Sequence, residues 1–210
     1  MFIGAFDGRT SPKSAQGPKS KAFHFSARLC AACNGSQTQR ADMEFDRFYS
    51  EVLALCREGL DPGQVFDRPG YSLGSEAYLN VFRYLAKLLC CQIADSQGPR
   101  LLAVRDFALG VSSWNVIHLN IDLDPIYREG TELLGEHSFA GHGGLAVLGD
   151  EFEHRPTGLQ SSLTLSAIRF VFSVRFDEGV VAEIRRVAPE FWDRCEAAHQ
   201  NALNGESRWA

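Results

Sequence analysis

The sequence predicts an α+β protein, in which a small N-terminal metal-turn-plus-helix segment precedes a larger domain of helices and a mainly antiparallel sheet. Three patterns support this prediction: a CxxC motif followed by helical periodicity, a long aromatic helical stretch after residue 74, and apolar residues alternating with polar ones near residues 117–123 and 168–176. The chain has 210 residues, 45% hydrophobic and 22% charged, which is the composition of an ordinary globular protein.

The N-terminal part is predicted to contain a loop, a turn and one helix. Residues 8–22 are rich in Gly, Pro, Ser and Lys, which is typical of a loop. From Asp42, apolar residues recur at spacings of three and four until Gly59, which predicts a helix with one buried stripe. Gly and Pro then become frequent, as in a linker. The predicted organisation is a metal-motif segment at 1–60, a linker at 61–74 and an α+β domain of unassigned role at 75–210.

The larger domain is predicted to run from helices to strands and back to helices. Ser75 is a good N-cap for a helix that Gly98 and Pro99 end. Alternating apolar residues then predict strands, and Pro189 is predicted to open the last helix at its first position. The predicted strands are 114–123, 144–148 and 166–176.

Charge and apolar patterning limit the classes of function. The formal net charge of −5 argues against tight, non-specific nucleic-acid binding by the whole chain. The first 40 residues differ, because six basic residues there face only Asp7. No apolar run reaches the roughly 18 to 20 residues that span a bilayer, and no signal peptide pattern is present, so a cytoplasmic location and reduced thiols are expected. The basic residues are Arg9, Lys13, Lys19, Lys21, Arg28 and Arg40.

The stretch LCAACN, residues 29–34, is the most chemically suggestive motif. Two thiolates separated by two residues can share one tetrahedral zinc, and a structural zinc site needs four ligands, so Cys30 and Cys33 are half of a site. His24 is the nearest candidate for a third ligand. Two other interpretations stay open: a redox pair, for which the surrounding βαβ pattern is missing, and a turn with no metal and no chemistry.

The residues after Cys30 suggest a family. The run CAACNGSQTQRADMEFDRF, residues 30–48, resembles the distal CxxCN half of bacterial HNH-endonuclease-like proteins, in which CxxCN is followed by a short Thr-Gln stretch and a helix with two spaced aspartates. The upstream QGPKSK at 16–21 is similar to the lead-in of that family. The resemblance implies that Cys30 and Cys33 bind zinc, that Asn34 braces the turn, and that Asp42 and Asp46 fix the following helix.

The resemblance does not extend to catalysis. The family's first CxxC and its catalytic histidine lie upstream of the distal half. Here no cysteine precedes Cys30, and His24 is the only histidine before it. A nuclease of this type needs a His general base and a metal at the phosphate. The chain is therefore expected to be truncated or degenerate and not to hydrolyse nucleic acid, and no catalytic residue is assigned.

The predicted function is that of an HNH-endonuclease-like zinc-motif protein that associates with nucleic acid through its N-terminal segment, with Arg28 and Arg40 as contacts. The alternative is a non-enzymatic α+β interaction or scaffold domain, which binds a protein partner or a second copy through residues 75–210. Zinc is the only cofactor implied, and no membrane association is expected.

Three polar groups in the larger domain are weaker candidates. The histidines and glycines at 137–144 could hold a metal or phosphate, but a turn between strands is the preferred interpretation. Asp122 and Asp124 could pair as acids, but a solvated strand end is the preferred interpretation. The acidic residues near His154 form a similar weak cluster at positions 151 and 153.

Overall fold

A computed structural model gives the structure of residues 2–3, 13–14, 25, 36–134, 139–150, 152 and 154–204. The fold is α+β with a mainly antiparallel sheet, as predicted. Within these residues, no helix is both long and apolar enough to cross a membrane.

Helices and strands alternate in blocks along the chain. The helices are α1 (Gln39–Arg57), α2 (Glu76–Asp95), α3 (Leu102–Ala108), α4 (Pro125–Leu134), α5 (Glu178–Val187) and α6 (Pro189–Leu203). The strands are β1 (Phe2–Ile3), β2 (Lys13–Ser14), β3 (Ile117–Leu123), β4 (Phe139–His142), β5 (Ala146–Asp150), β6 (Arg155–Leu165) and β7 (Ile168–Arg175). Two 3-10 segments, Pro62–Asp67 and Pro69–Tyr71, connect α1 to α2.

The sheet has the order β2-β1-β4-β6-β7-β3, and β5 also pairs with β6. Strands β6 and β7 form a hairpin in which Leu165 lies opposite Ile168, and β3 pairs antiparallel with the other side of β7. The short strands β4 and β5 share one edge of the long strand β6. Among the described strands, β3 therefore ends the sheet on one side.

The core lies between the helices and one face of the sheet. Alternate residues of β7 supply Ile168, Phe170 and Phe172 to this core, each at most 1% exposed. Helix α1 contributes Phe45 and Phe48, and the Phe45 ring lies 5.3 Å from the Phe170 ring. The helix that follows the CxxC segment is thus packed into the same core as the sheet.

Local sequence signals explain several helix ends. The Ser75 hydroxyl accepts a hydrogen bond from the Tyr78 N–H at 3.1 Å, as the predicted N-cap requires. Asp177 caps α5 in the same way, accepting from the Val180 N–H at 2.8 Å. Helix α6 begins at Pro189, so the prediction for that residue is confirmed.

Other elements differ from the sequence predictions. The strand predicted over 114–123 begins at Ile117, and the one predicted over 144–148 occupies Ala146–Asp150. The longest strand, β6, was not predicted, because Pro156, Gly158 and several hydroxyl side chains interrupt its apolar alternation. The residues predicted as a linker form the two 3-10 segments, in which Val65 and Tyr71 are buried.

Helix α6 lies very close to strand β5. A Cβ atom added at Gly149 would lie 1.9 Å from Nδ1 and 2.0 Å from Cε1 of His199. The His199 side chain is buried, with the residue 5% exposed, and its Nε2 has no hydrogen-bond partner in the described part of the chain. Only a glycine at position 149 allows this approach.

Candidate nucleic-acid interface

Most of the predicted metal motif lies outside the described residues. This applies to His24, Arg28, Cys30, Cys33 and Asn34. Among the residues that are described, no group of three or more His, Cys, Asp or Glu side chains is arranged to hold a metal ion. The zinc site therefore stays a prediction from the sequence.

The helix that follows the motif is fixed at its first turn. Asp42 forms an ion pair with Lys87 of α2, whose ammonium also donates to the Thr38 hydroxyl at 3.3 Å. Thr38 is 2% exposed and the Asp42 side chain 35%, so this contact is partly buried at the N-terminus of α1. Asp46 lies one turn further along with an exposed side chain, and its carbonyl accepts from the Ser50 hydroxyl.

An open polar cavity of about 520 Å³ lies beside this first turn. Its walls come from the start of α1, from one face of α2 and from the end of α3. They comprise Ser36, Gln37, Arg40, Ala41, Glu76, Asn80, Arg83, Ala108 and Gly110. Arg40, which is predicted from the sequence to contact nucleic acid, is part of this lining.

Arg83 is held in a defined position within the cavity wall. Its Nη1 donates to Glu76 Oε1 and to Asn80 Oδ1, both at 2.9 Å, and its guanidinium lies 5.9 Å from the centre of the Phe107 ring. Only 11% of the Arg83 side chain is exposed. Its Nε is buried and has no hydrogen-bond partner among the described residues. The guanidinium is thus anchored but incompletely satisfied.

The electrostatics of the cavity favour an anion. Arg40 and Arg83 contribute two positive charges and Glu76 one negative charge, which leaves one net positive charge. Guanidinium groups present planar pairs of N–H donors that match the oxygens of phosphate and carboxylate. Glu76 is 67% exposed at its side chain, so its pairing with Arg83 is open to water and to competition from another anion.

Comparisons with protein-family models, with curated proteins and with solved structures find no match.

Arg83 and Asn80 were not predicted as site residues, although the sequence of α2 contains a pattern that marks both. Glu76, Asn80 and Arg83 recur at spacings of four and three on a helix whose other faces are apolar, so they form one polar stripe. A polar stripe on an otherwise buried helix indicates either a network of polar contacts or a solvent-filled cavity.

A second and larger cleft, of about 950 Å³, lies around the connection between β4 and β5. Gly143 and Gly144, predicted as a turn, connect these strands and line the cleft. The Gln92 amide donates to the Gly143 carbonyl at 2.8 Å, and the Ser161 hydroxyl donates to the same oxygen at 3.2 Å. These contacts fix the loop to α2 and β6. His137, Glu151 and Glu153 lie outside the described residues.

The predicted acid pair is bound to an arginine. Arg169 donates to both carboxylate oxygens of Asp122, at 2.9 and 3.0 Å, and to Asp124 at 3.3 Å. The hydrogen bonds to Asp122 raise the pKa of Arg169 above its ordinary value. Asp124 also accepts from the Tyr127 N–H and so caps α4. The three side chains hold β3, β7 and α4 together, which accounts for both aspartates without acid chemistry.

Proposed function

We propose that this protein binds nucleic acid through its N-terminal segment as a non-catalytic, HNH-endonuclease-like zinc-motif protein, and that Arg40 and Arg83 contact backbone phosphate. The observation that carries the proposal is the positively charged cavity beside the first turn of α1, a helix that begins six residues after Cys33. The proposed location is cytoplasmic.

The state of Arg83 supports phosphate as the ligand. Among the described residues, Nη1 is the atom of the Arg83 guanidinium that donates to Glu76 and Asn80, and the terminal N–H groups that reach the cavity would donate to a phosphate oxygen entering it. The basic excess over the first 40 residues places more positive charge in the chain segment that leads to the cavity. Zinc at Cys30 and Cys33, with His24 as a third ligand, would hold that segment in a fixed turn.

The first experiment measures nucleic-acid affinity. Labelled DNA duplexes and single-stranded RNA of about 20 nucleotides are titrated with protein at several salt concentrations, with fluorescence anisotropy as the signal. Arg40→Ala and Arg83→Ala are each expected to weaken binding and to reduce the slope of log affinity against log salt by about one.

Arg47→Ala is the matched control, because Arg47 lies two turns along α1, is 71% exposed at its side chain and does not line the cavity. It is expected to leave both the affinity and the salt slope nearly unchanged. An equal loss in all three variants would show that the arginines act only through total charge. Absence of binding to either nucleic acid at low salt would reject the proposed function.

The second experiment measures zinc. The purified chain is expected to contain about one equivalent, which Cys30→Ser and Cys33→Ser should each remove. Cys56→Ser is the control, since Cys56 lies on α1 as a half-buried free thiol and is not a predicted ligand. Metal-free protein with unchanged unfolding would contradict the zinc motif.

One observation favours the alternative function, a protein-interaction domain. Large apolar side chains between α3 and β3 are exposed: Val111 at 75% and Trp114 at 78%. Exposed apolar residues that cluster in one segment are typical of contact surfaces. A metal-free chain that does not bind nucleic acid, but loses a protein contact on Trp114→Ala, would support this alternative.

A further inference from the structure

Strand β3 is the last strand on its side of the sheet among the strands that the structure describes. It pairs with β7 along one side over its full length, from Ile117 opposite Val174 to Leu123 opposite Ile168. Single-copy proteins usually protect such edges with Lys, Pro or Gly-containing bulges, and the sequence IHLNIDL contains none of these residues. An edge strand with this composition is a template for pairing with another strand.

The direction of the backbone groups in β3 follows from two hydrogen bonds. The Asp124 N–H donates to the carbonyl of Ala167, the residue directly before β7, so even-numbered residues of β3 direct their N–H and C=O groups toward β7. The Ile117 N–H is instead bonded to the Asn115 side chain at 2.9 Å. Odd-numbered residues, Leu119 and Ile121 among them, therefore direct their backbone groups outward from the sheet edge.

The side chains of β3 are also incompletely covered. Its inward-facing residues Leu119 and Ile121 are only half-buried, and Leu123 is 43% exposed, whereas the corresponding residues of β7 are fully buried. His118 and Asn120 on the other face are exposed. Apolar surface therefore continues to the edge where the outward backbone groups lie.

The sequence of β3 is complementary to itself when the strand is reversed about Asn120. Antiparallel pairing in this register places His118 opposite Asp122 of the second copy, and Asp122 opposite its His118. It also places Leu119 opposite Ile121 and Ile117 opposite Leu123, so that apolar residues meet on the inner face. We propose that two copies of this protein associate through β3, around a two-fold axis at Asn120, to form one continuous sheet.

This register pairs the outward backbone N–H and C=O groups and brings the His118 imidazole beside the Asp122 carboxylate. Outward-directed Leu119 pairs with outward-directed Ile121, and such a pair exchanges two N–H···O bonds. His118 and Asp122 then occupy the non-hydrogen-bonded pairs, in which side chains of the two strands are closest. Asp122 keeps its bidentate bond to Arg169 while a carboxylate still has lone pairs for the imidazole.

Neighbouring registers lose this complementarity. A shift of two residues in one direction places His118 opposite Asn120 and Leu119 opposite itself. A shift in the other direction places His118 opposite Asp124, which is buried and already bonded to Arg169. Of these isologous registers, only the one centred on Asn120 places both His118 side chains opposite Asp122 of the other copy. In this register the exposed Trp114 of one copy comes near the last residue of β3, the exposed Leu123, of the other copy.

The decisive experiment uses charge at the symmetry axis. The full chain has a mass of 23.3 kDa, and sedimentation velocity from micromolar to submillimolar concentration is expected to show about twice that mass. Asn120→Lys and Asn120→Glu each place like charges opposite each other and should each sediment as a monomer. An equimolar mixture of these two variants should regain the dimer as a heterodimer.

A second pair of variants tests the flanking contacts. His118→Glu places two carboxylates together at both symmetry-related pairs and is expected to raise the dimer Kd about tenfold. His118→Lys preserves the charge complementarity and should leave the dimer intact. Circular dichroism and thermal unfolding of each variant confirm that the fold is kept, since His118 and Asn120 are exposed.

Two outcomes would overturn the proposal. One is a parent chain that stays monomeric at every concentration. The other is a dimer that both Asn120 variants leave unchanged, because that dimer would use another surface. Neither outcome bears on nucleic-acid binding, which is measured separately on the cavity at α1.

Discussion

The contact between Gly149 and His199 predicts a large and specific effect of one methyl group. Gly149→Ala would bring the new Cβ within 1.9 Å of Nδ1 of His199, whereas non-bonded heavy atoms normally lie about 3.5 to 4 Å apart. The ring or the strand must therefore move by about 1.5 Å or more. Because His199 is only 5% exposed, the ring cannot relieve the contact without displacing its neighbours.

The expected loss follows from overpacking a closed site. Extra methyl groups in a packed interior cost about 1 to 3 kcal/mol, and a contact this short belongs at the upper end, so Gly149→Ala should lower the free energy of unfolding by about 3 kcal/mol. In a His199→Ala background the same change should cost less than about 1 kcal/mol, because the ring it would strike is gone.

Urea denaturation, followed by the fluorescence of the buried Trp192, measures all four members of this double-mutant cycle. Gly70→Ala is the control, because no heavy atom lies within 4 Å of its added Cβ, and it should change the stability by less than about 0.5 kcal/mol. An equal cost of Gly149→Ala in both backgrounds would refute the packing of α6 against β5.

Three further predictions concern the helix cap, the buried thiols and the ion cluster. Ser75→Ala should cost about 1 kcal/mol in urea denaturation by removing the cap of α2; an unchanged midpoint would contradict the cap. Burial raises the pKa of Cys195 to about 11 and that of Cys90 to about 12 from an ordinary value of 9.0. The unfolded chain loses these thiol protons at a lower pH than the folded chain does, so the free energy of unfolding should fall as the pH rises from about 9 toward 11. A urea midpoint that stays constant across this range would contradict the burial of these thiols. Arg169→Leu should cost about 2 kcal/mol, since it leaves the 8%-exposed carboxylate of Asp124 without its cation, and Arg128→Leu on the exposed face of α4 is the control.

The fold class could be predicted because the strongest patterns are local. In β7, residues of 168–174 alternate between buried and half-buried positions with no interruption, and α1 carries aromatic residues at helical spacings. The boundaries were less accurate. Residues 114–116 precede β3 and are not paired with any strand that the structure describes, and pairing partners are not visible in a single sequence.

The candidate site could be predicted only in part. Arg40 stands out in the sequence because it closes a basic stretch, whereas Arg83 is one polar residue on a long apolar helix and becomes significant only when α1 and α3 approach it. The self-complementarity of β3 is present in the sequence, but its meaning depends on β3 being an edge strand, and strand order is a property of the tertiary fold.

The packing of α1 against β7 has a consequence for synthesis of the chain. The Tyr49 hydroxyl lies 3.2 Å from that of Ser166, a residue 117 positions later. The rings of Phe45 and Phe48 lie beside the Phe170 ring of β7. When α1 and α2 have left the ribosome, the strand that completes their burial has not yet been translated. The part of the apolar face of α1 that packs on β7 therefore remains uncovered on the nascent chain until most of the protein is made, and it would be open to a holding chaperone during that time.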